Sequence, residues 1–183
     1  AASYVHNVTL LAGACVGAGS IVKDALLQWN ATIENGAHVN NSLLMEAASA
    51  ETASIVNCSI IGPDSHVGGG ETQHTLLGPN VNAHHQSLMI GVIWPLGRGN
   101  VGYGANVGSN HTGRTADQEC WSGEGLFWGL STVIKFPIDT THAPYSLIAA
   151  GVNLPPQRLL YPFSLIVNNG LDNHIHPGWV LSQ

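Results

Sequence analysis

The sequence predicts an all-β chain of stacked, three-faced coils, and three phased observations carry that reading. Aliphatic residues recur every six positions in short runs. Gly follows the aliphatic at Gly17, Gly62, Gly68, Gly78, Gly102 and Gly108. A small residue stands four places after it at Ala14, Ser20, Ala31, Ala37, Ser59, Ser65, Ser87 and Ala105. A period of six matches neither an isolated strand nor a helix. It fits a coil whose three flat faces are each one hexapeptide long. The aliphatic points inward, the small residue sits near a corner, and Gly tolerates the tight turn. Stacked coils then bury one aliphatic column, and each coil's backbone pairs with its neighbours.

The runs follow in order. Leu10, Val16 and Val22 form the first, and Leu27, Ile33, Val39 and Met45 the second. Ile55, Ile61 and Val67 make the third, Leu77, Ala83 and Met89 the fourth, and Val101 and Val107 the fifth. The slips from Val22 to Leu27, Met45 to Ile55 and Val67 to Leu77 read as loops or irregular coils. The longest departure, Ile90 to Asn100, holds Trp94, Pro95, Gly97, Arg98 and Gly99 and reads as a projecting loop. Thr115 to Gly125 reads as a second insertion. Leu126–Gly129 and Ser146–Val152 still resemble coil segments. Residues 1–152 are therefore assigned to the coiled body, with loops near 90–100 and 115–125. Residues 153–183 are assigned to a C-terminal extension or cap, which an open coil end requires.

Composition narrows the function. Charged residues make up only 9%, with a formal net charge of −6, against about 25% in an ordinary domain. Five scattered cations give no footprint for nucleic acid. High hydrophobicity with low charge excludes disorder, and no apolar run approaches the roughly 18 residues of a membrane span. Cys15, Cys58 and Cys120 form no CxxC pair, and they read as buried reduced thiols of a cytoplasmic protein. Asn-x-Ser/Thr triplets stand at Asn7, Asn30, Asn40, Asn57 and Asn110. In an Asn-rich chain these arise by chance, and no signal peptide is found. The Ala-Ala-Ser start, without Met, leaves room for a fragment or processed product with an upstream domain.

Polar residues concentrate between Gly68 and Gln118, where Glu71, His74, His84, His85, Asn100, Asn106, Asn110, His111, Arg114 and Asp117 fall. The six-residue pattern resembles the hexapeptide-repeat, left-handed parallel β-helix proteins, and the left hand is implied by that resemblance. The ordered set His74-Thr-Leu-Leu-Gly78, Asn100-Val-Gly-Tyr-Gly104 and Asn110-His-Thr-Gly113-Arg114 carries a sharper one. It resembles the acetyltransferase domains of the bifunctional glucosamine-1-phosphate acetyltransferase/uridylyltransferases. Leu126-Phe-Trp-Gly-Leu-Ser131 and Ile148-Ala-Ala-Gly151 look like the coils that line the acetyl-CoA groove of that family. The stretch from Gly68 to Gly151 also looks like a group of larger bacterial hexapeptide proteins described as related to sugar nucleotidyltransferases.

The resemblance implies acetyl-CoA as co-substrate and a sugar or nucleotide sugar as acceptor. His74 would be the general base, since an imidazole titrating near neutrality can take a proton as an amine attacks a thioester. Asn100 and Asn110 would hold the sugar, with His85, His111 and Arg114 beside it, and Ala149 would face the pantetheine arm. A homotrimer is implied as well. The family's two Tyr positions are Leu77 and His111 here, and no Lys or Arg lies between Asp24 and Leu96. That gap counts against a phosphate-bearing substrate. Two other readings stand beside this one. The first is a zinc enzyme of the γ-carbonic-anhydrase sort, with His74, His85 and His111 as ligands. The second is a non-catalytic trimerising β-helix of a sugar nucleotidyltransferase-like protein.

Overall fold

The computed structural model describes residues 2–109 and 119–183. Short parallel strands stack into a solenoid of about nine turns, consistent with a left-handed β-helix. Face 1 runs through His38–Asn40, Ile55–Asn57, Glu71–Gln73, Leu88–Ile90, Asn106–Ser109, Val133–Lys135 and Asn153–Leu154. Face 2 runs through Leu43–Leu44, Ile60–Ile61, Leu76–Leu77, Val92–Trp94, Cys120–Trp121, Ile138–Asp139 and Gln157–Arg158. Face 3 begins at Cys15–Val16 and ends at Leu165–Asn168. One long strand, Ile21–Leu27, bends from face 1 onto face 2 and joins them, with Tyr4–Leu10 paired beneath it.

Each face contributes one inward residue per coil. Val22, Val39, Val56, Thr72, Met89 and Val107 form the inward column of face 1, all buried. Leu27, Leu44, Ile61, Leu77 and Trp94 form that of face 2. The step from face 1 to face 2 takes five residues rather than six, as from Val39 to Leu44 and from Val56 to Ile61. The coil is therefore 17 residues long in its regular part. The sequence period is six, six and five, so the slip from Val22 to Leu27 is a normal corner rather than a loop. The same shortening corrects two assignments. Leu44, not Met45, is the buried residue, and Val56 is buried where Ile55 is 42% exposed.

The short corner has its own chemistry. Ser42, Ser59 and Thr75 each donate their hydroxyl to the carbonyl two residues back, at 2.7, 2.8 and 2.9 Å. Each hydroxyl oxygen then accepts the N–H of the next coil, from Ser59, Thr75 and Val92 in turn. The ladder satisfies backbone donors that a strand partner would otherwise have to reach. The repeated Gly serves a purpose other than turn conformation. A Cβ at Gly62 would collide with the Gly78 carbonyl, and one at Gly78 with the Pro95 carbonyl. Close approach of successive coils, not a left-handed φ, selects Gly there.

Residues 90–100 form no projecting loop. Ile90 closes a face 1 strand, Val92–Trp94 is a face 2 strand, and Trp94 is fully buried with its Nε1–H donating to the Gly123 carbonyl at 2.7 Å. The extra length in this coil lies instead between Ser109, which ends a face 1 strand, and Cys120, which begins the next face 2 strand. The solenoid also runs past 152, because Leu154, Leu159 and Ile166 continue the buried columns and their strands pair in parallel. Asn173–His176 then pairs antiparallel with Leu165–Asn168 and covers that end. A short 3₁₀ turn, Trp179–Ser182, follows. Among the described residues no helix is long and apolar enough to cross a membrane.

Candidate functional site

The edge between faces 1 and 2 carries one left-handed residue per coil. Asn7, Asp24, Asn41, Cys58, His74 and Gly91 occupy it in succession, with φ between 45° and 63°. Asn, Asp, His and Gly are the residues that tolerate this conformation. His74 is exposed, and its backbone N–H donates to the Asn57 carbonyl at 3.1 Å. Gln73, next to it, donates to Glu71 on face 1. Ser109, which ends a face 1 strand, and Glu119, where the described chain resumes, flank this same edge two coils beyond His74, or about 10 Å along the axis at the spacing of paired strands. A shallow trough of about 590 Å³ runs along the other end of the edge, past Asn7, Asp24, Asn41 and Cys58.

Beyond the inserted segment, the outer side of face 2 forms a groove of about 710 Å³. Its floor is Trp121, Pro137, Ile138 and Pro156, and its rim is Glu119, Asp139, Thr141, Gln157 and Arg158. Trp121 is 40% exposed, and its Nε1–H donates to Glu119 at 2.7 Å. Asp139 accepts from the Thr141 hydroxyl at 2.6 Å and the Thr141 backbone N–H at 3.0 Å, and it pairs with Arg158 Nε at 3.0 Å. Partial burial works to raise the Asp139 carboxyl. The two Thr141 bonds and the charges of Arg158 and His142 outweigh it and hold the group below its ordinary range. Behind this face, Cys120 is fully buried, and burial pushes its thiol up to about 12.

The expected site residues distribute over several surfaces. His74 lies on the edge just described. Asn110, His111 and Arg114 lie outside the described residues. His85 is exposed at the edge between faces 3 and 1, and Ala149 stands on that same edge farther along the axis. Asn100 is on face 3, where its Oδ1 is buried without a partner among the described residues. His74 and His85 are thus separated by the width of face 1. Among the described residues no three of His, Cys, Asp and Glu stand close enough to hold a metal ion. The expectation of three buried thiols is corrected too: Cys15 and Cys58 are exposed, and only Cys120 is inward.

The sequence reading gave no site role to Trp121, Asp139 or Arg158. Their signal was present, because they follow Ile93 as outward residues of face 2 in consecutive coils. The fixed six-residue register had been lost by then.

No family model matches the chain, and no curated protein matches it. The fold is a parallel β-solenoid. Solved structures resemble it at low identity. The acetyltransferase domain of PglB from Neisseria gonorrhoeae is 22% identical with a TM-score of 0.28, over 48% of this chain and 49% of that one. The chain therefore spans about half the length of that relative. A Bacillus cereus protein described as an acetyltransferase is 9% identical with a TM-score of 0.44, over 96% of this chain and 82% of that one. The UDP-N-acetylglucosamine acyltransferase of Campylobacter jejuni is 13% identical with a TM-score of 0.38, over 95% and 72%.

Proposed function

We propose that this β-helix is an acyltransferase that moves an acetyl group from acetyl-CoA to an amine on a sugar or nucleotide sugar. The observation that carries the reading is His74, an exposed histidine whose left-handed backbone sets it on the edge between faces 1 and 2, two coils before Ser109. The acceptor nitrogen attacks the thioester carbonyl, a C–N bond forms, and His74 takes the proton. The C–S bond then breaks, and the CoA thiolate leaves and is reprotonated. A general base of this kind contributes about 10² to 10⁴ in rate.

His74→Asn is the informative variant, because Asn keeps the left-handed corner while removing the base. Acetylation of an amino sugar, followed by thiol release, should fall by about a hundredfold or more, with the melting temperature unchanged. Unaltered turnover in that variant rejects the reading.

A homotrimer is part of the proposal. Leu26, Leu43, Ile60, Leu76 and Ile93 form an outward apolar ladder across five consecutive coils of face 2. Leu26 and Ile60 are 36% and 39% exposed, a pattern typical of a surface that another subunit covers. The ladder equally supports a non-catalytic trimerising platform. A trimer that shows no thioester-dependent acetylation selects that second reading. Leu43→Glu with Ile60→Glu should give monomers by sedimentation.

A further inference from the structure

We infer that the groove on the outer side of face 2 binds an uncharged pyranose ring. Trp121 supplies the platform. Its indole edge is tied to Glu119 at 2.7 Å, so the ring is held in place while its surface remains 40% exposed. A flat, apolar and rigid face of this kind suits the C–H face of a sugar and costs little side-chain entropy on binding. Pro137 and Pro156 extend the same floor.

The rim is arranged for hydroxyls. Asp139 accepts twice from Thr141 and once from Arg158 Nε, which orients the guanidinium and leaves its terminal nitrogens as donors. Gln157 donates its amide N–H to the Pro155 carbonyl at 3.1 Å, which leaves its own side-chain carbonyl as an acceptor. Among the described residues, the second carboxylate oxygen of Glu119 has no partner. Donors and acceptors thus flank one aromatic face, matching neighbouring hydroxyls that each donate and accept.

Charge selects against other occupants. Among the described residues, two carboxylates and one guanidinium line the groove, so a phosphate-bearing ligand meets net negative charge there. A second copy of the chain would have to desolvate Asp139 and Arg158, a cost the aliphatic ladder below Trp121 does not impose. The volume of about 710 Å³ lies within the usual range of small-molecule sites, roughly 300 to 1,000 Å³. The inference goes beyond acyl transfer and does not depend on it, since none of these residues takes the proton.

The test is a titration of the full chain with methyl glucopyranoside and methyl N-acetylglucosaminide. It is read by the tryptophan indole N–H resonances and by saturation transfer to the sugar. One indole resonance should shift saturably at millimolar concentration, and Trp121→Ala should abolish saturation transfer. Trp121→Phe should retain part of it, Arg158→Gln should weaken binding about tenfold, and His74→Asn should leave binding unchanged. Three results overturn the inference. The first is the absence of any shift with either pyranoside. The second is tighter binding of a hexose phosphate. The third is a Trp121 resonance that changes with protein concentration but not with sugar, which places a second copy over the groove.

Discussion

The coils before the inserted segment and those after it solve the same packing problem differently. Up to Val107, the inward column of face 1 steps by 16 to 18 residues, and its members are Val, Thr and Met. From Val107 the next step reaches Ile134, and the one after it Leu154. The extra residues fall at edges, where added chain costs little, while the inward column stays continuous. The core takes its two fully buried tryptophans on either side of the insertion, Trp94 before it and Trp128 after it. Face 3 places Ala50 and Ala83 inward in the early coils and Trp128 in the later one. Trp94 fits because Gly99 has no side chain, for a Cβ there would meet its ring. The lesson is that regular coils provide straight edges and apolar outer faces, and the irregular coils beyond them carry the charged groove.

Thiol chemistry gives the widest contrast between the two regions. Cys15 and Cys58 face outward on the regular coils, whereas Cys120 points inward on the first coil after the insertion. With its thiol pushed up to about 12 by burial, Cys120 is held in the unreactive thiol form near neutrality. A thiol-reactive probe on the native protein should therefore label two cysteines and reach the third only after denaturation. Three equally fast labels would mean that the later coils open readily.

Core truncation comes next in size. Trp128→Ala should cost about 3–5 kcal/mol. Because each coil touches only its neighbours, the loss should be local. Amide exchange should accelerate across 126–168 while the strands from 21 to 94 keep their protection. Uniform acceleration along the chain would show that the two regions unfold as one.

The difference between regions also explains what the sequence disclosed. The six-residue aliphatic pattern was readable because regular coils repeat one local solution, and it sufficed for the fold. Its true period escaped because the short corner drops one residue per coil, which misassigned Met45 and Ile55. The Asn-x-Ser/Thr triplets at Asn40 and Asn57 now have a physical cause. Asn41 and Cys58 take the left-handed corner, and Ser42 and Ser59 begin the hydroxyl ladder. His74, followed by Thr75, occupies the same position one coil later. The groove was illegible because Trp121, Asp139 and Arg158 are 18 and 19 residues apart, and only the folded register brings them together.

A smaller effect probes the regular coils. Thr72 stands between Val56 and Met89 in the inward column, and its hydroxyl is buried with no partner among the described residues. An unsatisfied buried hydroxyl costs about 1–3 kcal/mol. Thr72→Val keeps the shape and removes the cost, so stability should rise by about 1 kcal/mol, seen as a higher denaturant midpoint with an unchanged slope. A loss of stability would mean that the hydroxyl has found a partner in solution.

The smallest effect belongs to the groove. Asp139 is held below its ordinary value of 3.8, so the folded state releases its proton more readily than the unfolded chain does. Its contribution is therefore complete above that ordinary value, and it is lost as pH falls through the lower folded value. Arg158 is 65% exposed and solvent screens the pair, which limits the contribution to at most about 1 kcal/mol. Asp139→Asn should lower the melting temperature slightly at neutral pH and leave it nearly equal to the parent's in strong acid. If the deficit persists unchanged at the lowest pH, Asp139 acts through packing of the Thr141 turn rather than through its charge. The regular and irregular coils would then differ in shape alone.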